Sequence, residues 1–336
     1  MRVQPTRQTP PTHAWQVMYP PRACCAQGWL EVGDGHAIYW EECGNPLGQP
    51  ALFIHGGPGA GCKPDDRRWF DPARYRIVLF DQRGAGRSRP QGGLTANTTL
   101  HLLRDMERLR QHLQIDRWLL FGGSWGNTLA LAYAQRHAHR VRALVLRGVF
   151  TATPSEQDAL YGVGRRAWLA HLSQRLSQHL SPRLAEQPIG QLSERWVDPA
   201  RTACADAALQ AARIWWRWEQ DLLDGESGSP ATPEPQAERL LASARIGVHF
   251  ARHDFFIDAL APLANSLALR QIPGIIVQGE RDRVTPAAAA RALHAVWPGA
   301  QLKIVADGGH ASSHPAMAQQ LIAATDFFAQ HPDSGA

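Results

Sequence analysis

Lysine is almost missing from this chain of 336 residues. Only Lys63 and Lys303 occur, so nearly all of the 35 basic residues are arginine. Against 30 acids they leave a net charge of +5, and the arginines are scattered among acidic residues. A nucleic-acid partner requires clustered positive charge, so none is expected. Cysteine is scarce as well. Cys24, Cys25, Cys43, Cys62 and Cys204 form an odd set without a metal-type C-x-x-C pair, the usage of inert thiols in a reducing compartment. No stretch approaches 18 apolar residues, which excludes a membrane-spanning helix. Residues 1–11 are polar and proline-rich and lack an apolar leader core. The expectation is a soluble cytoplasmic protein without membrane contact.

With 44% hydrophobic and 19% charged residues, the chain can bury a sizeable core and is neither a disordered tail nor a coiled coil. Its length exceeds the ~250–300 residues at which single cores stop growing, so the surplus must lie somewhere. The first 27 or so residues carry five prolines and read as an extended tail laid on or near the body. Residues 29–40 contain Asp34-Gly35 between two candidate strands, a hairpin signature. Short runs at 51–54, 77–80, 118–121, 143–146, 274–277 and 302–305 are apolar, the last broken only by Lys303. That pattern marks strands buried on both faces, hence a parallel sheet.

Between the strands, 99–113 shows one apolar stripe of an amphipathic helix, and 128–135 reads as a small-residue helix. Alternating strands and helices predict an α/β doubly wound fold, with a mostly parallel sheet flanked by helices. The strand rhythm stops near Phe150 and resumes near Ile272. Helical periodicity appears at 165–180 and 205–223, around a polar gap at 225–235. The expected division is an N-terminal extension (1–28), a first core part (29–150), an inserted mostly helical cap (151–264) and a second core part (265–336).

Gly122-Gly123-Ser124-Trp125-Gly126 fits G-x-S-x-G directly after one predicted strand and just before a helix expected to begin near Asn127. This is the placement of a strained nucleophile turn. A serine hydroxyl needs a base, and the base needs an orienting carboxylate. Asp282, after the strand at 274–277, and His310, after the strand at 302–305, sit where catalytic groups of open α/β sheets collect. Glu280 is the competing acid. His55-Gly56-Gly57-Pro58-Gly59 follows the strand at 51–54. Its Gly57 N–H, with that of Trp125, is the expected pair of donors to a developing oxyanion.

Together with Asp81-Gln-Arg-Gly84, Gly86-Arg-Ser88, Leu146-Arg-Gly-Val-Phe150 and Trp215-Trp-Arg-Trp-Glu219, these motifs resemble the proline iminopeptidase family of α/β-hydrolases, from about Tyr19 to Phe328. The resemblance implies metal-free hydrolytic release of N-terminal proline from peptides beneath a helical cap, with no cofactor. It assigns Ser124, Asp282 and His310 as the triad and prefers Asp282 over Glu280. It also implies that Glu219 binds the substrate amine and that Phe150 and Phe255 line the proline pocket. The family's second cap glutamate aligns with Ala251, beside Arg252, and Asp254 is the proposed stand-in. A further pocket aromatic aligns with Leu160, leaving Tyr161 as its substitute, and a family cysteine aligns with Thr285. The catalytic motifs are complete while the specificity positions are partly rewritten. The alternative reading is therefore an esterase or amidase with altered acyl specificity, and a non-catalytic binding relative is a third.

Overall fold

An eight-stranded sheet organises the structure, a computed structural model that describes residues 14–161, 205–224, 234–257 and 267–331. The hairpin read from Asp34-Gly35 is present: β1 (Ala26–Gly33) pairs antiparallel with β2 (His36–Gly44). β2 is antiparallel to β4 (Tyr75–Phe80). Every later pairing is parallel, through β3 (Gln49–Ile54), β5 (Trp118–Ser124), β6 (Val141–Val149), β7 (Gly274–Gly279) and β8 (Ala300–Val305). The order across the sheet is β1-β2-β4-β3-β5-β6-β7-β8.

The described helices are α1 (Thr99–His112), α2 (Trp125–Arg136), α3 (Pro154–Tyr161), α4 (Ala205–Asp224), α5 (Ala237–Arg252), α6 (Ala287–Val296) and α7 (Pro315–Gln330). Successive strand residues point to opposite faces, and helices cover both. Leu52, Ile54, Val78 and Phe80 join a core with α1 and α2, whereas Ala51, Phe53, Ile77 and Leu79 join one with α7. Burial on both sides is why these strands are apolar without alternation. Each fully buried side chain of this kind contributes roughly 1.5–3 kcal/mol relative to exposure.

One buried ion pair ties the antiparallel edge to this core. Arg83, just past β4, holds Asp105 of α1 with two parallel bonds of 2.6 and 2.9 Å. Its other donors reach Val32 O, Ala96 O and Asp34. Burial pushes the Asp105 carboxyl up to about 6, against the pull of Arg83.

Between β6 and β7 the described residues are helical. The helix read at 205–223 is α4, whereas the periodic stretch at 165–180 lies outside the described residues. α5 has no counterpart among the expected helices. Its buried residues include Leu240, Ala244, Val248 and Ala251 at helical spacing, flanked by Ala242, Ile246 and Phe250, a wide buried face that packs on α4 and on the loops at the sheet edge. In the N-terminal stretch, Ala14 is buried against the α7 side, and the Tyr19 hydroxyl donates to Asp326 over 2.7 Å. β1 already begins at Ala26, inside the stretch expected to be tail.

Candidate active site

The strand carboxyl ends converge on one region, and Ser124 is its pivot. It closes β5 with φ 56° and ψ −123°, and α2 starts at the next residue, Trp125. The sequence reading placed that start near Asn127, two residues later. A non-glycine residue in left-handed backbone costs about 1–3 kcal/mol and persists only where its surroundings fix it. Here β5 is held between β3 and β6, and the Asn127 amide donates to both Arg147 O and Gly148 O at 2.7 Å.

The loop after β3 passes over this turn. A Cβ built on Gly56 would lie 3.1 Å from Gly123 O and 3.5 Å from the Ser124 Cβ, so the loop runs in contact with the turn. Gln82 fastens the loop to the helix that carries Ser124. It accepts from the Trp125 indole N–H at 2.9 Å, donates through its amide to His55 O at 2.8 Å, and donates through its backbone N–H to His55 Nε2 at 3.0 Å. Burial lowers the His55 imidazole below its ordinary value, consistent with a neutral ring that accepts at Nε2. Beside it, Asp81 accepts from Cys62 N at 2.7 Å and from Arg87 N and Nε at 2.8 Å. Arg87 and Arg67 also hold the buried Glu41. Gly57, the other expected donor residue, lies in this loop with φ 113°.

Asp282 and His310 meet from the ends of β7 and β8. His310 Nδ1 donates to Asp282 Oδ2 at 2.9 Å. Oδ2 also accepts from Gln278 Nε2 at 3.1 Å and the Thr285 hydroxyl at 2.8 Å, while Oδ1 accepts from Val284 N and Thr285 N at 2.9 and 2.7 Å. Burial by itself raises the Asp282 carboxyl. The His310 charge and hydrogen bond, followed by the Thr285 backbone and hydroxyl, outweigh it and hold the group below the usual carboxylate range. Arg147 of β6 donates to His310 O at 2.7 Å. A Cβ on Gly148 would come within 2.9 Å of the imidazole, so the ring needs a glycine there to lie against β6. Glu280, the competing acid, instead pairs with Arg291 at 2.6 Å on the surface.

The ring residues are brought together. Phe150 and Phe255 pack edge to face at 5.1 Å, and Trp125 lies 5.5 Å from Phe255 and 5.0 Å from Phe250 of α5. Asp254, Phe255 and Phe256 all have left-handed backbone (φ 49°, 56° and 52°), and the Thr99 hydroxyl donates to Phe255 O at 2.5 Å. Leu160 packs on the main core, Ala251 is buried, and the side chain of Tyr161 lies outside the described residues. Glu219, on α4, keeps some exposed surface. Burial pushes its carboxyl up to about 7, with Trp215 one turn earlier pulling it down by a hydrogen bond. Among the described residues no three His, Cys, Asp or Glu side chains converge so as to hold a metal ion, and no helix is long and apolar enough to cross a membrane.

Sequence reasoning passed over Gln82 and Gln278, and took Thr285 only as a pocket difference. The Asp282-x-x-Thr285 spacing was the available signal, because a short polar side chain three residues after an aspartate can fold back onto it.

Residues 50–315 match the family model of the alpha/beta hydrolase fold. Proline iminopeptidase of Xanthomonas citri is 40% identical over 331 residues, covering 94% of this chain and 100% of the relative. The chain belongs to the proline iminopeptidase family. The enzyme of that name from Arabidopsis thaliana is 40% identical over 317 residues, covering 93% of this chain and 82% of the relative. Solved structures at lower identity share the fold. A putative epoxide hydrolase from Pseudomonas aeruginosa has a TM-score of 0.62 at 18% identity, covering 94% of this chain and 100% of the other. A proline iminopeptidase-related protein from Thermus thermophilus has a TM-score of 0.53 at 20% identity, covering 92% of this chain and 98% of the other.

Proposed function

We propose that the protein is a serine aminopeptidase that releases N-terminal proline from peptides. The observation that carries the chemistry is the Asp282–His310 hydrogen bond past the carboxyl ends of β7 and β8, on the same edge of the parallel sheet as the strained Ser124 at the end of β5. His310 takes the Ser124 proton as Oγ bonds to the prolyl carbonyl carbon. The N–H groups of Trp125 and Gly57 receive the developing oxyanion. His310 then gives the proton to the departing amine, the C–N bond breaks, and the shortened peptide leaves a prolyl ester on Ser124. A water deprotonated by His310 adds to that ester, and its collapse frees proline and restores Ser124.

Residues 151–264 act as a cap that admits chain ends. In it, Glu219 offsets the charge of the substrate amine, whose burial without a partner would be costly. Asp254 supports it where the second family glutamate is replaced by Ala251. Phe150, Phe255 and Tyr161 flank the pyrrolidine ring.

The test compares prolyl, alanyl and N-acetyl-prolyl arylamides with a simple acyl ester, using Ser124→Ala as control. Preferential, Ser124-dependent cleavage of the unblocked prolyl arylamide is expected. Turnover of the ester alone would replace this reading by an esterase. For the second carboxylate, an unchanged KM in Asp254→Asn removes that residue from the amine site.

A further inference from the structure

Thr285 is 3% exposed and touches both members of the acid–base pair. Its hydroxyl donates to Asp282 Oδ2 at 2.8 Å, and the same oxygen lies 3.2 Å from His310 Nδ1. Oδ2 is also the atom that receives the His310 N–H. We propose that Thr285 is a positioning residue whose hydroxyl sets how tightly the Asp282–His310 pair holds its proton. This rests on the reading of that pair as the acid–base machinery.

The reasoning follows from competition for one oxygen. Oδ2 accepts from His310 Nδ1, Gln278 Nε2 and the Thr285 hydroxyl. Each donor draws electron density from the carboxylate and leaves it a weaker acceptor for the others. Removing the hydroxyl strengthens the bond from Asp282 to the imidazolium, so the histidine keeps its proton to higher pH. The secondary contact from Nδ1 to Oγ1 acts in the opposite sense. At 3.2 Å, and to an uncharged oxygen, it is weaker than the 2.8 Å bond to a carboxylate. Valine keeps a methyl group where the hydroxyl stood, so water does not take its place.

Other charges around the pair are the same in every variant. Arg147 donates from β6 to His310 O, and Arg281 and Arg283 flank Asp282 in its loop. Glu280 is engaged by Arg291, and Asp307 faces His314 at 3.9 Å.

The experiment compares native protein with Thr285→Val and Thr285→Ser. One readout is the pH profile of kcat/KM on a prolyl arylamide, and the other is the pH titration of the downfield proton resonance of His310 Nδ1–H. In Thr285→Val the acid limb and the resonance midpoint should both move up by about 0.5 pH unit, and Thr285→Ser should return both to the native positions. An unmoved acid limb with only a lower plateau would make Thr285 a packing residue and overturn the proposal, as would a serine variant that fails to restore the limb. If the valine variant does not fold, Thr285→Ala carries the same comparison. Absence of Ser124-dependent turnover in the native protein would defeat the peptidase reading instead, and the resonance would still decide the role of Thr285.

Discussion

The sheet and the helices between β6 and β7 hold their candidate residues in different ways. Around the strand ends, each group is fixed by several directed bonds. Asp282 accepts five hydrogen bonds, from His310, Gln278, Val284 and, twice, Thr285. Gln82 links the loop after β3 to α2 by three bonds. In the inserted helices the corresponding contacts are ring packing, such as Phe255 on Phe150 and Trp125, and a carboxylate at Glu219 whose hydrogen-bond partner is Trp215. Directed bonds demand particular residue types, whereas ring packing accepts any shape that fills the space. The sheet can therefore keep one chemistry while the inserted segment changes what it accepts.

Four substitutions bear on this contrast. Ser124→Ala should lower kcat/KM by ~10⁴-fold or more on prolyl, alanyl and ester substrates alike. Steady-state kinetics on purified protein checks this, and activity retained on any of the substrates would place its chemistry outside the sheet. Asp105→Asn separates scaffold from chemistry within the sheet domain. Leaving Arg83 buried without its carboxylate should cost about 3 kcal/mol by denaturant unfolding, with kcat unchanged at a temperature where the variant is folded.

Glu219→Gln addresses the inserted segment. It should raise KM for free-amine substrates by roughly 10–100-fold while sparing N-blocked esters. The same carboxyl gives a pH signature with a definite sign. Because burial pushes it up to about 7, it is protonated and uncharged below that pH. KM for prolyl substrates should therefore rise as pH falls through about 7 in the native protein and stay flat in Glu219→Gln. The smallest effect belongs to Gln82→Leu, expected to lower kcat about tenfold at constant KM, because it loosens the linkage between Trp125 and the His55 loop without touching substrate. A change confined to KM would move Gln82 to the recognition side of the comparison.

Much of the sheet was legible because burial on both faces leaves a plain trace in the sequence: five of the six runs are the doubly buried cores of β3 to β7, and the sixth lies in β8, a margin strand whose burial alternates. The nucleophile turn was legible because glycines flank Ser124 at the end of one such run. Less was read in the inserted segment. α5 has its own buried stripe at Leu240, Ala244, Val248 and Ala251, but alanines dilute it where α1 has Leu and Met. Thr285 and Gln82 act through bonds to residues brought close by other strands, which no local pattern encodes. The left-handed run Asp254–Phe256 contains no glycine to announce it.

Strand order has a consequence for how the molecule comes into being. Ser124 ends β5 at the middle of the sheet, whereas Asp282 and His310 follow β7 and β8, the last strands in the chain, added at one margin. During synthesis Ser124 and the inserted helices leave the ribosome before Asp282 and His310. On the proposed mechanism, a nascent chain thus carries the serine before its base, and the site is completed only with the final strand.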